Sequence, residues 1–132
     1  MDQKIYKVLI IEDNETYRKI VVNALRQSNF TVLEGDNGLR GLEIARVEKP
    51  DLIVVDIYMP VMDGMTMLFE LKKDAQLMHI PVVMLTNIQE ELENAVKQGA
   101  EETLLKSSLT PRQVVDVCKK HLQKNNSTHN GQ

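Results

Sequence analysis

The chain has 132 residues, 42% hydrophobic and 27% charged, with 16 basic and 19 acidic residues and a formal net charge of −3. That length suits one domain burying roughly two-thirds of its unfolded surface, which is enough for a core without disulfide or metal staples. The mildly acidic, interspersed charge excludes an electrostatic footprint for nucleic acid, and no apolar run is long enough to span a membrane.

The opening Met1-Asp2-Gln3-Lys4 lacks the apolar stretch of a signal peptide. Val8-Leu9-Ile10-Ile11 is an unbroken apolar run, as are Leu52-Ile53-Val54-Val55 and Val82-Val83-Met84-Leu85. Without period-2 alternation, and with helical patterns between them, these predict parallel strands buried on both faces. Thr31-Val32-Leu33 and Thr103-Leu104-Leu105 complete a set of five.

Between the strands the apolar spacing is helical. Tyr17, Ile20, Val21, Ala24 and Leu25 define the first helix, with Asn14 as its N-cap. Asp36 or Asn37 caps a second through Leu39, Leu42 and Ala45, ending before Pro50, and a third runs roughly over 65–75. A fourth follows Ile88, Leu92, Ala95 and Val96, with Gly99 suited to the position after its end. Thr110-Pro111-Arg112-Gln113 is a capping box with proline at the first helical position, and Leu109 and Val114 form a hydrophobic staple. In that fifth helix Cys118, the only cysteine, lies four residues from Val114 and Leu122, so it is read as buried. A lone thiol suits a reducing compartment, and a cytoplasmic location is expected. From Lys124 the sequence is polar and patternless, which predicts a domain over 1–123 and a disordered tail over 124–132.

Five strand–helix pairs imply a three-layer α/β sandwich around a parallel sheet, with chemistry beyond the carboxyl ends of the strands. Those ends carry Glu12-Asp13, Asp56, Thr86 and Lys106. Each alone has a bland reading: an acid that caps a helix, a turn threonine, a solvated lysine. Together they are a carboxylate cluster, a hydroxyl and an ammonium at one edge. Crowded carboxylates need a cation, and an oxygen-only site suits Mg²⁺. His79, His121 and His129 are scattered, which argues against zinc. The set is suited to phosphoryl transfer with Asp56 as nucleophile.

Lys7-Val8-Leu9-Ile10-Ile11-Glu12-Asp13-Asn14, Pro50 to Asp56, and Met59-Pro60-Val61-Met62-Asp63-Gly64 resemble the receiver domain of two-component response regulators. Pro81 to Thr86 and Gly99 to Lys106 extend the resemblance over about residues 4–123. It implies a flavodoxin-like fold with strand order 2-1-3-4-5. It also implies phosphorylation of Asp56 by a sensor histidine kinase, a phosphotransfer protein or a small phosphodonor. Mg²⁺ would be held by Glu12, Asp13, Asp56 and the backbone carbonyl of Tyr58, while Thr86 and Lys106 contact phosphoryl oxygens. Output would pass to a downstream protein or domain through the face of helix 4, strand 5 and helix 5, with phosphorylation-dependent homodimerisation left open. Neither nucleic acid nor membrane is an expected direct partner.

The sequence departs from the family's pattern at three places. Ser107 follows Lys106 where proline is common, so the peptide there need not be cis. Thr103 stands where an aromatic switch residue is usual, and Asn87 replaces a small residue after Thr86. Tyr58, two residues after Asp56, is placed either to shield an acyl phosphate from water or simply to pack on its loop. The rival readings are a receiver-like interaction module that is never phosphorylated, and a phosphatase with an aspartyl nucleophile. The phosphatase needs a second Asp where this chain has Tyr58.

Overall fold

A computed structural model describes residues 4–130, with side chains over 4–123. Five strands, β1 (Lys7–Ile11), β2 (Thr31–Gly35), β3 (Leu52–Asp56), β4 (Val82–Thr86) and β5 (Glu102–Leu105), form one parallel sheet in the order β2-β1-β3-β4-β5. The apolar runs are unbroken because both faces of the sheet are covered. Leu9, Ile11, Ile53, Val55, Val82 and Met84 point into one core, while Val8, Ile10, Leu52, Val54, Val83 and Leu85 fill the other.

Helices α1 (Glu15–Gln27) and α5 (Pro111–Asn130) cover the second core through Val21, Val22, Leu25, Val114, Val115 and Cys118. On the opposite face lie α2 (Gly38–Glu48), α3 (Gly64–Lys73) and α4 (Leu92–Lys97). The caps follow local chemistry. Asn14, Asn37 and Asp63 each accept a backbone N–H from the first turn, so Asn37 rather than Asp36 caps α2. Thr110 and Gln113 exchange reciprocal hydrogen bonds at 2.7 and 3.2 Å, as a capping box requires.

Two expectations differ from the fold. The fourth helix is not continuous from Ile88. A 3₁₀ turn (Gln89–Glu91) precedes a six-residue α4, and of the expected apolar stripe Ala95 is buried while Ile88 and Val96 stay exposed. Gly99 does follow the helix end, at φ +116°. The backbone of α5 continues through 124–130, where the sequence predicts a disordered tail; the packed turns before it already supply the nucleus that an isolated polar segment would lack. Residues 131–132 of that tail lie outside the described residues. Among the described residues no helix is long and apolar enough to cross a membrane.

Candidate functional site

Strand register builds the site. Ile11 pairs with Val55, so Glu12 emerges beside Asp56, and Asp56 in turn pairs with Leu85, one residue before Thr86. Thr86 pairs with Leu105, which brings Lys106 to the same edge. The position is the switch point between β1 and β3, where the sheet's strand order reverses.

One carboxylate oxygen from each of Glu12, Asp13 and Asp56 lies within 4.8 Å of the others. Glu12 and Asp56 are buried, whereas Asp13 faces solvent. Lys106 Nζ reaches both buried acids, 2.5 Å from Glu12 Oε1 and 2.9 Å from Asp56 Oδ2. The contact to Asp56 is an aligned hydrogen bond. The contact to Glu12 Oε1 is a close ion pair, so the ammonium bridges the two buried acids. Glu12 Oε2 accepts the Asn14 backbone N–H at 2.9 Å.

Burial pushes the Glu12 carboxyl above its ordinary range, against the pull of Lys106 and the Asn14 amide. Burial would depress Lys106, but the two carboxylates outweigh it and hold the ammonium above its usual value. Two buried carboxylates thus share one ammonium, with the Asp13 carboxylate beside them at the solvent edge. An oxygen-only cluster in which three carboxylates outnumber the one ammonium bonded to them fits a hard divalent cation.

Several neighbours were not legible from sequence. The Tyr17 ring packs on Lys106, 4.7 Å from Nζ to the ring centre, so this residue of the helix 1 stripe also orients the ammonium. Arg18 Nη1 donates to the Glu12 carbonyl at 2.7 Å while its Nε pairs with Glu34 at 2.9 Å, which fixes the loop after β1. Thr86 is fully buried, and its hydroxyl is engaged by other groups than Asp56, donating to Glu91 Oε1 at 2.8 Å and accepting the Ile88 N–H at 3.1 Å. The Tyr58 hydroxyl donates to Glu91 Oε2. Asn87 is exposed, and the Lys106–Ser107 peptide is trans. Thr103 Oγ1 is buried without a hydrogen-bond partner.

The loop from β3 to α3 closes the site from one side. A Cβ at Gly64 would collide with the Asp56 carbonyl oxygen, so glycine permits the close approach that seats α3 beneath the acid. Val61 in that loop sits at φ +70°, a conformation a β-branched residue rarely adopts.

The sequence profile of the response regulator receiver domain matches residues 8–119. The chain belongs to this receiver family. Polar-differentiation response regulator DivK of Brucella anthropi is 32% identical over 116 residues, spanning 87% of this chain and 94% of that protein. The Brucella ovis protein of the same name is 31% identical over the same spans. The chemotaxis response regulator CheY4 of Vibrio cholerae superposes with a TM-score of 0.82 at 25% identity, covering 89% of this receiver and 98% of CheY4. The receiver domain of the sensor histidine kinase PA1611 from Pseudomonas aeruginosa shares the fold, with a TM-score of 0.81, 21% identity and coverage of 91% and 99%. That structure holds a magnesium ion coordinated in its active site cleft. The five-stranded sheet and its order 2-1-3-4-5 are as the resemblance implied, and the receiver acts in two-component signalling.

Proposed function

We propose that this receiver accepts a phosphoryl group on Asp56 from the phosphohistidine of a sensor histidine kinase or phosphotransfer protein. The observation that carries the reading is the cluster of Glu12, Asp13 and Asp56 within 4.8 Å, with a single ammonium, Lys106, bonded to the acceptor. Glu12, Asp13, Asp56 and the Tyr58 backbone carbonyl are the residues that would hold Mg²⁺. When bound, that ion supplies positive charge that screens the carboxylates and the incoming phosphate.

An Asp56 carboxylate oxygen attacks phosphorus, and the phosphorus–nitrogen bond of the donor breaks with its electron pair leaving on the imidazole. The product is a mixed anhydride on Asp56. Lys106 balances the charge at the acceptor, and the Thr86 hydroxyl binds a phosphoryl oxygen once it turns inward. The domain's chemistry is confined to its own phosphorylation and dephosphorylation.

Phosphorylation adds roughly −1.5 to −2 charges at the strand ends. Contacts from Thr86 and Lys106 to those oxygens shift the population between two conformations; a full reversal from 1:99 to 99:1 takes about 5.5 kcal/mol. The shifted state signals to a protein partner through the α4–β5–α5 face. The domain proper is assigned to residues 1–123 and to the cytoplasm, in keeping with its one buried thiol.

The deciding experiment is intact mass after incubation with acetyl phosphate, with and without Mg²⁺, for wild type and Asp56→Asn. A Mg²⁺-dependent gain of one phosphoryl group in wild type alone is expected. No gain, even from a panel of histidine kinases, would favour a receiver that serves only as a binding module.

A further inference from the structure

Glu91 is the common acceptor of the Thr86 and Tyr58 hydroxyls. Its Oε1 takes the Thr86 proton at 2.8 Å, its Oε2 takes the Tyr58 proton, and Glu91 itself is half-buried at the end of the 3₁₀ turn. Thr86 and Tyr58 arrive from different strands, so one carboxylate ties the β4 end to the loop after β3. Tyr58 is about half exposed, with 53% of its surface accessible, so the bond to Glu91 holds its ring over open ground rather than in the core.

Thr86 has one hydroxyl proton, and Glu91 has it. The Thr86 oxygen is also engaged as an acceptor, from the Ile88 N–H at 3.1 Å. A phosphoryl oxygen on Asp56 therefore cannot gain the Thr86 proton until Glu91 gives it up. The charge on Glu91 makes that exchange a competition between two anions for one donor, and hydrogen bonds to ionised acceptors are the strong ones.

We propose that Glu91 is a positioning residue that holds the receiver in its unphosphorylated conformation, acting through the Thr86 hydroxyl and, by the same carboxylate, through Tyr58. The proposal rests on phosphorylation at Asp56. It names the group that sets how readily Thr86 turns inward, and it places that control in the 3₁₀ turn before α4. Loss of the Thr86 bond on phosphorylation frees this turn, which leads directly into the α4–β5–α5 face. In this chain Thr103 stands where an aromatic of β5 is usual in the family, and the Thr86–Glu91–Tyr58 bridge links an aromatic to the site through Thr86 instead.

The test is beryllofluoride binding in the presence of Mg²⁺, followed by fluorine NMR, for wild type, Glu91→Ala, Glu91→Gln, Thr86→Ala and the Thr86→Ala/Glu91→Ala double variant. Glu91→Ala is expected to bind beryllofluoride about five- to tenfold more tightly than wild type, with Glu91→Gln in between because its amide oxygen remains a neutral acceptor. In the Thr86→Ala background the Glu91 substitution should change affinity less than twofold, since the residue acts through that hydroxyl. Thermal unfolding of each variant identifies any that fail to fold, in which case Glu91→Gln carries the comparison. Wild-type binding with equal affinity in the Glu91 variants, or an equal gain with and without Thr86, overturns the role of Glu91 and leaves the phosphoacceptor reading intact. Absence of binding in wild type overturns both.

Discussion

Lys106 Nζ donates to Asp56 Oδ2 at 2.9 Å, and the same ammonium pairs with Glu12 Oε1 at 2.5 Å. Without a metal the carboxylates outnumber that ammonium, and replacing Asp56 by asparagine removes one of the mutually repelling groups. Asp56→Asn is therefore expected to be at least as stable as wild type in EDTA. Mg²⁺ at a hundredfold its dissociation constant should stabilise wild type by about 2.7 kcal/mol, and the variant by well under half of that. Thermal melts of both proteins, with EDTA and with Mg²⁺, check this. Equal Mg²⁺ stabilisation of the two would remove Asp56 from the metal site.

Gly64 is where the acid and α3 meet. A Cβ there would strike the Asp56 carbonyl oxygen, which is backbone and cannot rotate aside. Gly64→Ala should cost about 2–3 kcal/mol in urea unfolding, in the upper range for overpacking. It should also slow phosphorylation by displacing Asp56. An alanine variant of wild-type stability would mean that the loop has room the packing does not indicate.

Most of this arrangement could be read from the chain because its signals are local. Unbroken apolar runs mark strands covered on both faces, Asn14 and the Thr110–Gln113 box mark helix starts, and polar residues just past the runs mark the site edge. What escaped depends on side chains that reach across elements. Glu91 belongs to an acidic stretch with Glu90 and Glu93 that fits the first turn of a helix equally well, and nothing in its spacing points to Thr86 or Tyr58. Its engagement with those residues coincides with the 3₁₀ turn that interrupts the expected fourth helix. Tyr17 carries correct helical spacing for the core, and that spacing hides its second contact with Lys106.

Cys118 is fully buried between α5 and the sheet, and burial pushes its thiol up to about 12. The folded value lies above that of the unfolded chain, near 8.5–9. The thiol's contribution to stability is therefore complete below that pH and is lost as pH rises toward 12. The stability difference between wild type and Cys118→Ala should shrink by about 1–2 kcal/mol between pH 7 and pH 10, measured by urea unfolding. Native protein should also resist thiol reagents until it unfolds; rapid modification at pH 7.5 would show that the thiol is accessible.

Glu102 on β5 answers to α5. Its Oε1 meets Lys120 Nζ at 2.7 Å and His121 Nε2 at 2.8 Å, and His121 is itself buried. Burial would raise the Glu102 carboxyl, but the hydrogen bonds and charges of Lys120 and His121 outweigh it and hold the group below its ordinary range. A depressed folded value gives stability that is present above the unfolded value, near 4.3, and is lost as pH falls through the folded one. Glu102→Gln should therefore cost about 1–2 kcal/mol at pH 6, toward the low end for hydrogen bonds to a charged group because Lys120 is largely solvent-exposed. The difference from wild type should diminish as pH falls below about 4. Urea midpoints from pH 3 to 6 measure it. A difference that stays constant across that range would mean that Glu102 holds α5 by shape rather than by charge.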